Sequence, residues 1–274
     1  MPLPWKLGPT PLTLGHGVEL KLPENYQFLG QPEAGQVMTQ LGNLNNDNLL
    51  GIVVSSEPEP EGQGQAQQDD SYLIVLSYDE EGYIKDDETL DSDEILKAIR
   101  DGEEEYNKQR KQAGFPPIHA EGWREQPHYD KAKHQVIWGL TIRSQDDTSV
   151  NYNTRVLGRK GYVSVNLVTG TMALQRHMPA ATTILAGTTF GSGSRYEDFD
   201  EKNDKVAEYG LTGLVLGGVG LGVAKLVKIG LLAKFGKVLI AALIAGKKLI
   251  FAALAAGVVG LRKLFGKRND ETQA

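Results

Sequence analysis

The pattern of hydrophobic and polar positions in the first third of the chain predicts strands with one short helix between them. Residues 12–22 (LTLGHGVELKL) alternate apolar and polar side chains with a period of two, which predicts a single half-buried strand. Pro32 opens and Gly42 closes a helical pattern (PEAGQVMTQLG), because proline suits the first helical turn and glycine suits the end. Residues 49–55 form a further predicted strand, and the β-branched and aromatic content of residues 71–78 predicts a buried one.

The clearest helical pattern runs from residue 91 to residue 114. Asp91 or Ser92 is placed to cap its start, and Gly114 is placed to end it. Its apolar side chains share one face while the others are charged, so we expect it to pack on one side only. Residues 57–70 (EPEPEGQGQAQQDD), between two predicted strands, have almost no apolar side chain and are expected to form a flexible loop.

Three strand-like runs follow one another between residues 135 and 168. They are QVIWGLTIR, SVNYNTRVL and GYVSVNLV, and the segments SQDD and LGRKG supply the turns of an antiparallel meander. Arg155 alternates with Tyr152, Thr154 and Val156, so its side chain projects from one face of a strand. The expected fold class is α+β, a mostly antiparallel sheet with packed helices, followed by C-terminal membrane helices.

Charge divides the chain into two parts of opposite sign. Residues 1–204 carry 18 basic and 32 acidic side chains, whereas residues 205–274 carry eleven Lys and Arg against three acids. An acidic body repels nucleic acid and anionic lipid, and a basic, apolar tail is attracted to an anionic membrane surface. We therefore predict an acidic α+β extramembrane domain over residues 1–204 and a basic, Gly/Ala-rich helical membrane region over residues 205–274.

Glycine spacing in this C-terminal region favours close packing of helices in a membrane. Residues 211–224 (LTGLVLGGVGLGVA) are uncharged, but they are fewer than the roughly 20 residues that span a bilayer. Small residues four positions apart let helices approach closely in lipid. The glycines with this spacing are Gly213, Gly217, Gly218 and Gly222.

A one-sided distribution of basic residues predicts an amphipathic helix farther along the same region. At about 100° per residue, the basic stripe of a continuous helix from residue 232 to residue 267 contains Lys234, Lys237, Lys248, Arg262, Lys263 and Lys267. Such a helix can lie in the membrane interface with its basic face toward anionic headgroups. It can also span the membrane with its lysines facing a bundle interior or a water-filled cavity.

The sequence removes several classes of chemistry. There is no cysteine, which excludes disulfides, thiolate catalysis and Cys-ligated metal. The glycine-rich stretch is not followed by GKT or GKS, the histidines lack the H-E-x-x-H spacing, and no serine stands in G-x-S-x-G. We expect no metal site and no cofactor, and the sequence assigns no reaction.

Polar side chains of the body that could converge on a ligand are the remaining candidates. The six with most weight are Asp86, Asp87, His128, Asp130, Arg155 and Arg159, and Tyr83, Lys85, Trp123, Tyr129 and Asn153 complete the group. A buried network of arginines and aspartates that fixes the sheet explains them without a ligand. A cleft that binds an anion through the two arginines is the functional interpretation.

Four motifs, taken in order, make the chain resemble a known family. They are GYIKDDETLDSDEILKAI, EEEYNKQRKQAGFPPIHAEGWREQPHYDKAKHQVIW, NYNTRVLGRKGYVSVN and the stretch from GSRYEDF to DKVAEYG. They are similar to motifs of DUF2167, a bacterial family of uncharacterised membrane-anchored proteins, and the resemblance runs from about Gly15 into the C-terminal region. It implies an extracytoplasmic body, usually behind a signal peptide, with an apolar C-terminal anchor, and it brings no reaction or catalytic residue.

The N-terminus bears on which side of the membrane the body lies. The first fifteen residues (MPLPWKLGPTPLTLG) contain one lysine and lack the apolar run of about 7–15 residues that a secretory signal carries. The body either stays in the cytoplasm or is exported by a signal that this sequence no longer carries. Because the resemblance implies export, we expect a protein of the bacterial inner membrane with a periplasmic body.

The leading functional hypothesis is a membrane-anchored bacterial envelope protein that acts by assembly or interaction. It is expected to be a homo-oligomer joined through its C-terminal helices, with a pore or a platform as one form. The expected partners are membrane lipid and further copies of the chain, not nucleic acid, and no protein partner is identified. The alternative is an envelope hydrolase or a ligand-binding domain that uses the polar Asp/His/Arg cluster. The hydrolase requires those side chains to meet in one concave pocket.

Overall fold

The computed structural model describes residues 2–56, 71–145 and 147–217. These residues form one eight-stranded and one three-stranded antiparallel sheet with packed helices, which confirms the α+β class. The strands are β1 (Lys6–Leu7), β2 (Thr10–Gly15), β3 (Val18–Leu22), β4 (Tyr26–Gly30), β5 (Leu49–Ser55), β6 (Tyr72–Asp79), β7 (His119–Asp130), β8 (Gln135–Ser144), β9 (Asp147–Leu157), β10 (Tyr162–Gly170) and β11 (Thr188–Phe190). The helices are α1 (Glu33–Gln40), α2 (Ser92–Gln112), α3 (Leu174–Gly187) and α4 (Leu211–Gly217), with a short 3₁₀ helix at Tyr196–Asp198.

The large sheet has the strand order β1-β4-β5-β6-β10-β9-β8-β7. The predicted meander is confirmed, because β8, β9 and β10 pair in sequence with antiparallel register. Strand β10 then pairs with β6, so β6, β10 and β9 become the central strands of the sheet. The small sheet has the order β11-β3-β2.

The prediction of one strand over residues 12–22 is wrong, because the chain reverses inside it. Strands β2 and β3 form a hairpin in which Leu12 pairs with Leu20. The turn uses Gly15, His16 and Gly17, whose φ angles are 93°, 53° and 75°. Glycine adopts this left-handed region at little cost, so the G-H-G triplet was a turn signal inside an otherwise continuous alternation.

Both predicted helices are present. Helix α1 follows Pro32, and α2 begins after Asp91, whose Oδ1 accepts hydrogen bonds from the backbone N–H groups of Asp93 and Glu94 at 3.1 and 3.0 Å. Gly114 follows α2 with a φ of 82°, as expected for a helix-ending glycine. The predicted loop at residues 57–70 lies outside the described residues.

One face of the large sheet, which we call the core face, is closed by other elements. Val163, Val165 and Leu167 of β10 point to this face and are buried. Helix α3 and the small sheet cover them, and their apolar side chains join those of the sheet in one cluster, for example Ile184 of α3 and Leu20 of β3. This layer is the main hydrophobic core of the body.

The opposite face, which we call the groove face, is covered only along its two sides. Helix α1 packs on β4 and β5, while α2 packs on β7, and α4 contacts both α2 and β8. The central strands β6, β10 and β9 lie between these helices. The result is a groove of about 1490 Å³ whose floor is the middle of the sheet.

The C-terminal region begins as part of the body. The N–H group of Tyr83 donates to the carbonyl of Lys205 at 2.8 Å, and α4 buries Leu211 and Leu214 completely. Gly213 is buried there, and a Cβ atom added to it would lie 2.6 Å from the Cβ of Tyr209, four residues earlier in the chain. No helix among the described residues is long and apolar enough to cross a membrane.

The remaining predicted membrane features lie outside the described residues. They are Gly218, Gly222 and the basic stripe of Lys234, Lys237, Lys248, Arg262, Lys263 and Lys267.

Candidate functional site

The floor of the groove is polar although it lies in the middle of the sheet. Side chains that are directly paired across strands share a face, and those two positions apart along a strand share it too. Ser164 pairs with Ser77 and Arg155, and Asn166 pairs with Asn153. The groove-face polar side chains of the three central strands are therefore Ser77, Asp79, Asp147, Ser149, Asn151, Asn153, Arg155, Tyr162, Ser164 and Asn166, and all of them line the groove.

Several of these polar side chains are almost completely buried. Arg155 and Asn153 are each 5% exposed and Ser164 is 4% exposed. Charged side chains are almost never this buried unless they are paired. The partners of Arg155 therefore decide whether it is structural.

Two aromatic rings hold the Arg155 guanidinium in place. Its central carbon lies 5.5 Å from the ring centre of Trp138 on β8 and 4.8 Å from that of Tyr162 on β10. Such cation–π contacts use the flat faces of the guanidinium and leave the N–H groups at its edge free to donate. The two rings thus fix the position of Arg155 while its N–H groups remain available for hydrogen bonds.

The ion pair of Arg155 is a long one. Its Nη1 atom lies 3.6 Å from Oδ2 of Asp79, beyond hydrogen-bond distance. No hydrogen bond joins the guanidinium to any residue that the structure describes, and its Nε atom is buried without a partner. A buried cation with unused donors is the feature that sets this position apart from an ordinary structural arginine.

Unpartnered buried polar atoms concentrate around Arg155. Within the described ranges three buried side-chain atoms lack a hydrogen-bond partner, Arg155 Nε, Asn166 Oδ1 and Trp138 Nε1. They belong to the adjacent strands β9, β10 and β8, and all three residues are on the groove face because Asn153 pairs with both Trp138 and Asn166. Leaving such groups unsatisfied costs about 1–3 kcal/mol each, so their clustering marks a functional location.

The walls of the groove carry both apolar and polar side chains, and Glu103 and Gln109 of α2 are among the polar ones. Val37 and Met38 of α1 line one side, and Ile99 and Tyr106 of α2 line the other. At the end near the C-terminus of α2, Arg110 bridges the walls by donating from Nη1 to the carbonyl of Gly42 at 3.1 Å.

The other end of the groove is formed by tyrosines and α4. Burial, which outweighs the attraction of the Arg155 cation, raises the pKa of Tyr162 to about 12. Its hydroxyl is hydrogen-bonded to that of Tyr209, and a Cβ atom added to Gly217 would lie 4.0 Å from it. Tyr162 is therefore neutral at physiological pH. At this end of the groove it contributes an aromatic ring and a hydroxyl group but no negative charge.

Arg159, the second predicted arginine, has an ordinary structural role. Its Nε donates to Oδ2 of Asp204 at 2.6 Å, and its Nη1 donates to the carbonyl of Gly193 at 3.3 Å. The Arg159 hydrogen bond, together with one from the N–H of Asp200, lowers the pKa of Asp204 below its ordinary value of 3.8. This pair fixes the turn between β9 and β10 to the segment after α3.

Asp86 belongs to a separate cluster. The hydroxyl of Tyr129 donates to Oδ2 of Asp86 at 2.9 Å and lies 3.0 Å from Nδ1 of His134. Burial first, and then the hydrogen bond to Asp86, raise the pKa of Tyr129. Because the Tyr129 proton goes to Asp86, the His134 contact requires that His134 Nδ1 be the donor.

The other three candidates lie at the surface. His128 is exposed, with Nδ1 3.6 Å from Oε1 of Glu125, and Asp87 is exposed as well. Asp130 pairs with Lys133 at 3.0 Å, and the hydrogen bond from Lys133 is the main cause that lowers the pKa of Asp130.

The six candidates do not meet in one place. His128 pairs with Ile137, which pairs with Thr154 on the core face, so the His128 and Arg155 side chains point to opposite faces. Of the six, only Arg155 lines the groove. Within the described part of the chain, no group of three His, Asp or Glu side chains could hold a metal ion.

The sequence analysis missed most of the groove floor. Asp79, Ser164 and Asn166 were not singled out, although the pattern that places them was visible. Polar residues recur at every second position in N-Y-N-T-R and S-V-N, while the alternate positions of β10 are apolar. A polar stripe on one face of a strand whose other face is apolar indicates a solvated or ligand-facing surface in a central strand.

The resemblance seen in the sequence is confirmed at the level of the family. A family model described as "Protein of unknown function (DUF2167)" matches residues 6–259. The chain belongs to the DUF2167 family. No curated protein matches the sequence.

Two solved structures are similar to this DUF2167 protein at low scores. The cyanobacterial PsbP (CyanoP) of Synechocystis is 11% identical, with a TM-score of 0.36, over 64% of this chain and 88% of its own. LpqN of Mycobacterium tuberculosis, described as involved in cell envelope biogenesis, is 14% identical, with a TM-score of 0.30, over 66% and 88%. Similarity at this level carries no argument about function.

Proposed function

We propose that the body is a ligand-binding module and that the groove face of its large sheet is the binding site. The observation that carries the proposal is Arg155, a buried cation that is held by two rings and makes no hydrogen bond to any described residue. Buried polar groups without hydrogen-bond partners lower the free energy of unfolding, so their presence at core positions indicates a function that offsets this cost. A concave groove in which apolar side chains lie beside convergent polar groups is a usual location for a small-molecule site.

Binding is better supported than catalysis. Asp86, His128 and Asp130, which an envelope hydrolase was expected to use, all lie outside the groove. Asp86 is engaged by Tyr129 and Asp130 by Lys133, so neither carboxylate is placed beside Arg155. The ligand-binding form of the alternative hypothesis therefore becomes the leading proposal for the body.

Single cysteines test whether the groove is open to a ligand. The chain has no native cysteine, so Asn166→Cys, on the groove floor, and Val165→Cys, on the core face, each present one thiol. We expect methyl methanethiosulfonate to modify Asn166→Cys at least about tenfold faster in the folded full chain, because protection follows burial. Equal rates, or an unreactive Asn166→Cys, would mean that the groove is closed and would contradict the proposal.

For the whole protein, we propose a membrane-anchored envelope protein with its body in the periplasm and its copies joined through the C-terminal region. The supporting observations are the opposite charges of residues 1–204 and 205–274 and the glycine spacing beyond α4. A pore or a platform is one form that such an assembly could take.

The mass of the detergent-extracted full chain, measured by light scattering, tests the assembly. We expect a defined oligomer that Gly218→Leu and Gly222→Leu dissociate, because leucine prevents close helix approach. Ala253→Leu is the control of equal bulk outside the glycine spacing. A monomeric wild-type chain would contradict assembly and leave the ligand-binding proposal untouched.

A further inference from the structure

We propose that the groove binds an anionic amphiphile, with a carboxylate or phosphate at Arg155, an amide or hydroxyl beside it, and an apolar chain extending along β6 and β10. This inference rests on the proposed ligand-binding function and adds the chemical class of the ligand. It follows from the order in which charged, amide and apolar side chains succeed one another along the floor.

The charged end of the floor is suited to a single anionic group. Arg155 offers a planar set of donors that match a carboxylate or phosphate, and Ser164 and Ser77 lie beside it in register. Asp79 lies on the same face, directly paired with Tyr162. Its Oδ2 atom lies 3.6 Å from Nη1 of Arg155, beyond hydrogen-bond distance, so a closer anion could become the principal partner without breaking a hydrogen bond to Asp79.

The middle of the floor is suited to a hydrogen-bond donor on the ligand. Asn166 lines the groove and its Oδ1 atom is buried without a partner among the described residues. An amide N–H or a hydroxyl next to the anionic group would satisfy this acceptor. The side chain of Asn153, paired with Asn166, already donates to the carbonyl of Asn151 at 3.1 Å and is less available.

The far end of the floor is apolar on two of the three central strands. Val75 and Leu73 of β6 and Val168 of β10 line the groove there, and Ile52 of β5 adjoins them. Val168 lies four residues beyond Ser164 along β10, which corresponds to about 13 Å. Together with Met38 on α1, these side chains offer an apolar path along β6 and β10, while β9 continues beside it with Asn151, which is paired with Val168, and then with Ser149 and Asp147.

N-Octanoylglycine is the simplest probe with this order of groups, since it carries a carboxylate, an amide and an apolar chain. Titration calorimetry would be run on the full chain in nanodiscs, with empty nanodiscs subtracting partition into lipid. We expect saturable binding, no binding of octyltrimethylammonium, and at least about thirtyfold weaker binding of N-acetylglycine, which lacks the chain. Octyl phosphate distinguishes between a carboxylate and a phosphate as the preferred anion. If it binds more tightly than N-octanoylglycine, phosphate is the preferred anion.

Variants assign the binding to the predicted groups. Arg155→Lys keeps the charge but loses the planar set of donors, so we expect about tenfold weaker binding. Asp79→Asn removes the competing carboxylate, and we expect about threefold to tenfold tighter binding of the anion. Arg143→Met, which removes an exposed arginine paired with Glu121, is the control and should leave the affinity unchanged.

The Asp79→Asn result separates a ligand site from a structural ion pair. If Arg155 served only to pair with Asp79, this variant would lose stability and gain no affinity, and the proposal would be wrong. Equal binding of the anionic and cationic probes would also overturn it. Either result, obtained with a reactive Asn166→Cys, would reject the ligand class while leaving the groove as a binding site.

Discussion

The two faces of the same three central strands are built differently. On the core face, Val163, Val165 and Leu167 pack under α3 and the small sheet. On the groove face, the alternate residues Ser164 and Asn166 share the floor with Arg155, and no helix that the structure describes crosses the middle of them. Alternate residues of one strand thus have different roles: those on the core face stabilise the fold, and those on the groove face are available to bind a ligand.

The difference between the faces shows what each set of side chains contributes. Apolar side chains of the core face gain free energy from burial, at about 25 cal/mol per Å² of apolar surface. Polar side chains of the groove face gain nothing comparable, and Arg155 Nε and Asn166 Oδ1 are buried without partners. The groove face therefore lowers the free energy of unfolding in the absence of a ligand, and a ligand that satisfies these atoms should raise it.

The largest effect is expected from truncating adjacent residues of β10. Leu167→Ala should lower the free energy of unfolding by about 2–5 kcal/mol, because it removes fully buried methyl groups and leaves a cavity. Asn166→Ala should change it by less than about 1 kcal/mol, because the Asn166 acceptor already lacks a partner. Urea unfolding followed by tryptophan fluorescence measures both, and equal losses would show that the groove face is a second core.

A smaller effect, with a pH dependence, is expected at the turn that joins β9 to β10. Asp204 has a pKa lowered by the Arg159 hydrogen bond, so its ionised form stabilises the fold above pH 3.8 and that contribution is lost as pH falls through the lowered value. Arg159→Met should therefore weaken the acid dependence of the unfolding free energy below pH 3.8. Urea unfolding at a series of pH values measures it.

Arg155→Met is the matched control for this prediction. Arg155 has no hydrogen bond to a described residue and is paired with Asp79 only at 3.6 Å, so the acid dependence that comes from Asp204 should be retained. If Arg155→Met and Arg159→Met changed the pH profile equally, the distinction between the two arginines would be lost.

Local sequence patterns predicted much of the fold. Strand-like runs rich in β-branched and aromatic residues located β5, β6 and the β8–β10 meander, and Asp91 and Gly114 marked the ends of α2 because capping chemistry is local. Strand β7 was not predicted, since its polar sequence, which contains Pro127, becomes a strand by pairing with β8. Helix α3, with Pro179 inside it, gave no clear helical signal.

The candidate site was only partly predictable. The sequence pointed to Arg155 and Arg159 alike, because both stand in one polar motif. Their difference depends on Asp79 and Asp204, which lie far from them along the chain and are brought near by strand pairing and by the segment after α3. Which arginine is hydrogen-bonded to its aspartate, and which has only a long ion pair, therefore follows from tertiary structure.

The most direct test of the account is to find where a bound amphiphile lies. N-Octanoylglycine bearing a diazirine on its chain would be photolysed with the full chain, and labelled residues would be located by tandem mass spectrometry. The account predicts competed labelling of groove-lining residues such as Met38, Val75 and Tyr106, and its loss in Arg155→Met. Labelling that unlabelled N-octanoylglycine does not compete, or that falls outside the groove, would contradict it.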